Sequence, residues 1–334
     1  MKALFIGGTG TISEAITRLA AASGTEVTLL NRGSNTEFTV DGVEQITADI
    51  HDESSVKEIL KNKNFDVVVD FIAFVPEHVR RDIRLFSGKT GQYIFISSAS
   101  AYQKPLANYL ITESTPLCNP YWKYSRDKID CETVLMEEYR TSGFPVTIVR
   151  PSHTYGEKSI PVSVHGKKGS WQVIRRILEG RPVIVHGDGL SLWTFTHNTD
   201  FAKGFVGLMN NPHAVGEAVH ITSDETITWN AAFASIGKAL GVTPNLVHIP
   251  SEFLAAFNPE LLGNLIGDKA NSVVFDNSKI KRLVPDFCAT VRFDQGVKRS
   301  VDYVTAHPSL QVADPEFDSW SDKVIAAYCS GMLR

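Results

Sequence analysis

The stretch Ala3-Leu4-Phe5-Ile6-Gly7-Gly8-Thr9-Gly10-Thr11-Ile12-Ser13 decides the fold. Four apolar residues run straight into the glycines. Ala15, Ile16, Leu19 and Ala20 then recur at helical spacing, which predicts a buried strand, a tight turn and a helix within residues 2–22. A helix start carries unpaired N–H groups and a partial positive charge, both suited to a phosphate. Glycine lets the backbone turn sharply and lets a pyrophosphate approach without meeting a side chain. The spacing Gly7-x-x-Gly10-x-x-Ser13 leaves serine at the third small position, where helix and strand pack closely. Glycine turns join strands to helices in many α/β proteins. What favours dinucleotide binding here is the place of the turn, in the first strand–turn–helix unit. Gly7, Thr9, Gly10, Thr11 and Ile12 are the residues expected around the phosphates.

Outward from this unit the chain alternates. Glu26–Asn31 reads as a second strand and ends in Asn31-Arg32-Gly33-Ser34, with no carboxylate before Glu37. An acid at that strand end selects NAD by binding the ribose. Its lack, together with an arginine able to pair with a 2′-phosphate, favours NADP(H), with NAD(H) as the alternative if Arg32 covers the adenine or faces solvent. Residues 43–48 form a third strand closed by Asp49 and Ile50, an acceptor for the adenine amino group and an apolar contact for its ring. Asp52 or Ser54 then caps a helix to about Asn62. Residues 66–73 are almost unbroken apolar sequence, as in a strand buried on both faces, and its end, Phe71-Ile72-Ala73, joins the cofactor-contact set. Pro76 opens a helix to about Phe86. Residues 93–98 make a fifth strand ending at Ser97-Ser98. Alternation of this kind up to about Arg150 predicts an α/β fold with a doubly wound parallel sheet.

Further along, Tyr124 and Lys128 stand four apart in a predicted helix and share a face. A free tyrosine titrates near 10, too high for a good general base at neutral pH. An ammonium ~4 Å away favours the phenolate by at most about 4 kcal/mol at an effective dielectric near 20, or up to roughly three pKa units. A phenolate so formed would take a proton from a substrate hydroxyl, and Ser98 would steady the substrate oxygen. Alone, such a pair equally suits a helix surface. The order of glycine turn, serine at a strand end and then Tyr-x-x-x-Lys is the stronger signal.

Together these motifs resemble the extended short-chain dehydrogenase/reductase family, in its NAD-dependent epimerase/dehydratase branch. The resemblance rests on Gly7-x-x-Gly10, Asp49-Ile50, Ser98-Ala99-Ser100-Ala101-Tyr102 and Tyr124-x-x-x-Lys128-x-x-x-Glu132. It extends to Arg150-Pro151, Tyr155-Gly156, Gly187-Asp188-Gly189 and Phe195-Thr196-His197-x-x-Asp200. It implies a Rossmann-type sheet, with Ser98, Tyr124 and Lys128 as the catalytic set. Lys128 would also hold the nicotinamide ribose, and the backbone at Pro151 and Ser152 would meet the nicotinamide. Ser100, His153 and Trp193 are the expected substrate contacts, and no metal is expected. Trp193 and His153 replace the arginine and asparagine that nucleotide-sugar enzymes of the family usually carry, which weakens a nucleotide sugar as substrate. Ala99 after Ser98 omits the acids that sugar dehydratases use, which disfavours elimination.

The expected activity is that of an NAD(P)-dependent epimerase or reductase at a secondary alcohol or ketone of a sugar-like small molecule. Residues near Asn31-Arg32-Gly33 and Trp320 also look like a less typical branch that includes chloroplast stem-loop-binding proteins. A nucleotide-sensing or RNA-binding role on the same scaffold is therefore the rival reading. The family also implies a homodimer through the helices that carry Tyr124 and follow Pro76.

Composition agrees with this class. The 334 residues carry a net charge of −4, with 43% hydrophobic and 21% charged residues, so no basic face argues for nucleic acid or an anionic membrane. No run approaches the ~20 apolar residues of a membrane span. The N-terminus enters a strand at once, without room for a cleavable signal, so the cytoplasm is the expected location. Cys118, Cys131, Cys288 and Cys329 show no metal spacing and read as free thiols, mostly buried. Residues 1–152 are expected to form the dinucleotide domain, with a return segment near 195–225, and 153–334 mainly a substrate domain. In the latter, helices are expected at 171–178, 198–209 and 229–240, and strands at 182–185 and 218–221. His197 reads as a structural hydrogen-bonder and Asp276-Asn277-Ser278-Lys279 as a helix start. Beyond these, Gly and Pro punctuate the chain.

Overall fold

In the computed structural model, which describes residues 1–33, 35 and 38–331, seven parallel strands form the central sheet. They are β1 (Lys2–Ile6), β2 (Glu26–Asn31), β3 (Glu44–Thr47), β4 (Phe65–Asp70), β5 (Thr90–Ile96), β6 (Val146–Pro151) and β7 (Ala218–Ile221). Their spatial order is β7-β6-β5-β4-β1-β2-β3, so the winding reverses between β1 and β4. This is the doubly wound Rossmann-type fold expected from the alternation. Its crevice for ligands opens at the carboxyl ends of the strands beside that reversal. Ser34 and Glu37, beyond β2, lie outside the described residues.

The helices on the two faces include α1 (Thr11–Ala22), α2 (Glu53–Ile59), α3 (Pro76–Phe86) and α4 (Lys123–Ser142). One apolar layer lies between the sheet and α1, with Phe5, Ile16, Val69, Phe201 and Phe205. The other lies beneath α3 and α4, with Leu4, Val68, Phe95, Val79 and Leu135. β1 and β4 have no exposed core residue, as burial on both faces requires.

Several ends differ from the sequence expectation for local reasons. β4 stops at Asp70 rather than residue 73, because the Asp70 carboxylate accepts the N–H of Ile72 at 2.6 Å and turns the chain out of the ladder. β5 stops at Ile96: Ser97 Oγ donates to the Glu132 carboxylate, and Ser98 Oγ accepts the N–H of Ser100 to cap a single 3₁₀ turn at Ala99–Ala101. Asp52 caps α2 by accepting from Ser55 N, and that helix ends at Ile59, short of Asn62. Cys118, Cys288 and Cys329 are exposed and only Cys131 is buried, which corrects the expectation that most thiols are inside.

The remaining chain builds a third core, with Trp193, Trp229, Phe233, Phe253 and Phe293. Among the segments there that escaped the sequence reading are helices Phe293–Ala306 and Pro315–Cys329 and a wide π-type helix at Leu262–Lys269. His197 caps helix Asn198–Leu208 through Thr199. The Asp276 carboxylate accepts the N–H of Ser278 at the start of helix Ser278–Leu283. Among the described residues no helix is long and apolar enough to cross a membrane.

Candidate active site

The glycine turn is set by its neighbours. Gly7 and Gly8 hold φ of +95° and +91°, where side chains are strained, and a Cβ on Gly8 would stand 2.6 Å from Leu29 Cδ2. Ser13 Oγ accepts the N–H of Gly10 at 2.8 Å, so the serine in the third small position caps the helix it was expected only to pack. The N–H groups of Thr11 and Ile12, in the first turn of α1, have no intrahelical acceptor and face outward from the helix start.

The other expected cofactor contacts lie along the same edge of the sheet. Asn31 Oδ1 accepts the N–H of Gly33 and shapes the turn beyond β2, while Arg32 is exposed. Asp49 is exposed beyond β3 and accepts from His51 N, whereas Ile50 is buried in the core with Val56. Phe71 is turned inward, its ring 5.6 Å from that of Phe5 and 6.0 Å from that of Phe205, so only its backbone is at the edge. Ile72 and Phe74 are exposed there, and Ala73 is buried. These features fit a dinucleotide: free N–H groups, an apolar wall at Ile72 and a glycine whose missing Cβ leaves the groove open beside Ile72.

Ser98, Ser100, Tyr124, Pro151, Ser152, His153 and Trp193 line one cavity of about 250 Å³, together with Ala99, Trp122 and Asp268. α4 carries Tyr124 and, one turn on, Lys128. A chain of hydroxyls fixes the serine turn against α4: Ser98 Oγ lies 2.8 Å from Ser100 Oγ, which accepts from Ser125 Oγ at 2.7 Å. Ser152 Oγ donates to the Thr194 carbonyl. Trp193 Nε1 donates to His153 Nδ1 at 3.1 Å, and burial pushes that imidazole down to about 3. Both side chains therefore present a neutral, largely aromatic surface to the cavity.

Lys128 is buried. Its Nζ donates to the carbonyls of Ala73 and Ile96, both at 2.7 Å, at the ends of β4 and β5. Burial lowers its pKa to about 8, with Cys131 and Asp70 opposing. The ammonium stands 5.8 Å from the Tyr124 ring centroid. The phenol is shifted upward, by burial first and by the Asp268 charge, while Ser98 opposes. This corrects the expectation that Lys128 depresses Tyr124: the ammonium is engaged by the carbonyls of Ala73 and Ile96, and burial dominates the shift of the phenol. The phenol is thus a proton donor at neutral pH in this arrangement.

The sequence reading missed Ser125, Asn119 and Asp268. Ser125 stood next to Tyr124 and was readable only once Ser100 was known to face it. Asn119 Nδ2 donates to the carbonyls of Ser100 and Gly267, a link spanning distant parts of the chain. Among the described residues, no cluster of three or more His, Cys, Asp or Glu is arranged to hold a metal.

The sequence model of the NAD dependent epimerase/dehydratase family matches residues 3–222, which take in the glycine turn, the serine turn, α4 and the whole central sheet. The chain belongs to this family. Among its relatives, 2′-dehydrokanamycin reductase of Streptomyces kanamyceticus is 23% identical over 86% of this chain and 80% of its own. The chloroplast stem-loop binding protein of 41 kDa b of Arabidopsis thaliana is 27% identical over 75% of this chain and 67% of its own. The structure of dTDP-glucose 4,6-dehydratase from Bacillus anthracis in complex with NAD superimposes with a TM-score of 0.75, at 19% identity over 92% of this chain and 98% of that one. Other relatives in the family are named as epimerases and dehydratases, and it is a family of enzymes.

Proposed function

We propose that this family member is an NADP(H)-dependent oxidoreductase or epimerase that acts in the cytoplasm at a secondary alcohol or ketone of a sugar-like small molecule. The observation that carries the reading is the shared cavity of Ser98 and Tyr124, with Lys128 one helical turn on, at the carboxyl ends of β4, β5 and β6. A bound nicotinamide would supply the acceptor or donor of hydride. Tyr124 gives a proton to, or takes one from, the substrate oxygen. Ser98, aligned by Ser100 and Ser125, hydrogen-bonds that oxygen. Lys128 holds positive charge beside Tyr124 and, through its free donor capacity, binds the cofactor ribose. Pro151 and Ser152 border the reacting face.

Replacing Tyr124 by Phe tests this assignment. Turnover should fall by about 10²–10⁴-fold, the range for a lost general acid–base, while cofactor affinity stays unchanged. Full activity in the variant would refute the assignment. The preference for NADP(H) is supported by the exposed Arg32 after β2 and by Asn31 in place of an acid. Arg32→Ala should weaken NADP(H) binding and leave NAD(H) binding unchanged; equal effects on both would overturn the preference.

One observation favours a second reading, the likeness to a protein named for stem-loop binding. On that reading the purified chain would shift a structured RNA in a salt-sensitive manner, indifferent to Ser98, Tyr124 and Lys128. A gel-shift titration beside a reductase assay separates the two.

A further inference from the structure

The cavity contains one carboxylate, and the reaction above does not use it. Asp268 lies in its wall, on the π-type helix Leu262–Lys269. Among the described residues, its carboxylate receives no hydrogen bond, and four aromatic side chains, Trp122, Tyr124, His153 and Trp193, share the cavity with it. A half-buried carboxylate with no donor is costly unless a ligand supplies one.

Its position is built rather than incidental. Gly263 and Gly267 bring the helix directly onto the segment before Tyr124. A Cβ on Gly263 would stand 2.4 Å from Trp122 Cδ1, and one on Gly267 would stand 3.1 Å from Tyr121 Cβ. Asn119 then ties Gly267 to Ser100. Two cations influence the carboxylate, Lys104 and Lys269, and neither lines the cavity. Lys269 Nζ is taken up by the Ser163 carbonyl, and Lys104 Nζ is buried without a hydrogen-bond partner among the described residues. Of these three charged side chains only Asp268 lines the cavity. Even with both lysines beside it, burial raises Asp268 to about 6.

We propose that Asp268 is the specificity-determining residue of this cavity. It accepts hydrogen bonds from a hydroxyl or ammonium substituent of a single sugar-like ring and turns away rings that bear an anionic group at that position. The aromatic walls take the apolar faces of the ring. The volume of about 250 Å³ is below the ~300–1,000 Å³ of drug-sized sites, which suits one ring. This rests on the reading of the site as a sugar-type oxidoreductase, and it names what that site selects.

The test measures binding of D-glucose, 6-amino-6-deoxy-D-glucose and D-glucuronate, which differ at one position, to the full chain at pH 7.5 by tryptophan emission, since Trp122 and Trp193 line the cavity. The wild-type chain is expected to bind the hydroxyl or the ammonium sugar about tenfold or more tightly than glucuronate, the size of a hydrogen bond to a charged group. Asp268→Asn should reduce that ratio by about tenfold while NADP(H) still binds. The melting temperature and NADP(H) binding of the variant show that it is folded, so weakening of all three sugars alike counts against the proposal. The 6-amino sugar favoured over glucose identifies the ammonium as the preferred donor, and the reverse identifies the hydroxyl. An unchanged ratio in Asp268→Asn, or no binding of any of the three to wild type, overturns the proposal. The result does not depend on turnover, so a fully active Tyr124→Phe enzyme with intact selectivity, or an active wild type whose selectivity ignores Asp268, separates failure of one reading from failure of the other.

Discussion

The indole N–H of Trp193 donates to Nδ1 of His153, and this bond settles the tautomer: the imidazole proton resides on Nε2. Because the acceptor is buried among Phe195, Trp229 and Trp193, removing its donor is expected to cost about 1–3 kcal/mol. Trp193→Phe should therefore lower the denaturation midpoint by that amount, measured in urea with unchanged slope. His153→Phe should restore part of the loss in the double variant, because no acceptor is then left unsatisfied.

Three buried imidazoles make stability depend on pH. His153 is held at about 3, and His186 and His197 at about 4, in each case chiefly by burial. In the unfolded chain each titrates near 6.5, so between that value and about 4 the unfolded state binds more protons. Stability should fall as pH drops through this window, and be insensitive to these groups above pH 7. Thermal melts of wild type and His186→Gln between pH 7 and 4 check this: the variant should lose less over the interval.

Lys128 titrates at about 8 in the free protein. Its positive charge is present below that value and lost above it. If it serves the proton donor Tyr124 and the ribose, kcat/KM for ketone reduction should be level at neutral pH and decline above about 8. Lys128→Met should remove this limb, raise the cofactor KM and lower stability, since it also strips a donor from the carbonyls of Ala73 and Ile96. A limb that persisted in the methionine variant would have to come from another group.

Gly263→Ala offers a steric check on the cavity wall. The added methyl would meet the Trp122 ring at 2.4 Å, so the Leu262–Lys269 helix must shift. A loss of about 1–3 kcal/mol is expected from the overpacking, with substrate KM raised more than cofactor KM.

How far the sequence could be read follows from the range of the interactions involved. β1, the glycine turn and α1 were legible because a run of apolar residues, three glycines and a helical period all fall within residues 2–22. Tyr124, Lys128 and Ser98 were legible as residue types in order. The upward shift of Tyr124 was not, because it comes from burial, Ser98 and Asp268, which only the folded chain brings around the phenol. Asp268 was hidden for a related reason. It follows Gly267 in a stretch with no clear period, and its place beside Tyr124 depends on contacts from Asn119 and Trp122, about 150 residues earlier. The late helices Phe293–Ala306 and Pro315–Cys329 do carry apolar faces, but the Gly and Pro between them obscured their limits.

The carboxamide of Asn119 holds two carbonyls that belong to different jobs, one on the turn that handles the reacting oxygen and one on the bend that presents Asp268. Chemistry and recognition are thereby registered to each other by a single side chain. New preferences can be written by exchanging side chains along residues 262–269 while the reacting groups keep their alignment. Losing that amide would loosen both at once.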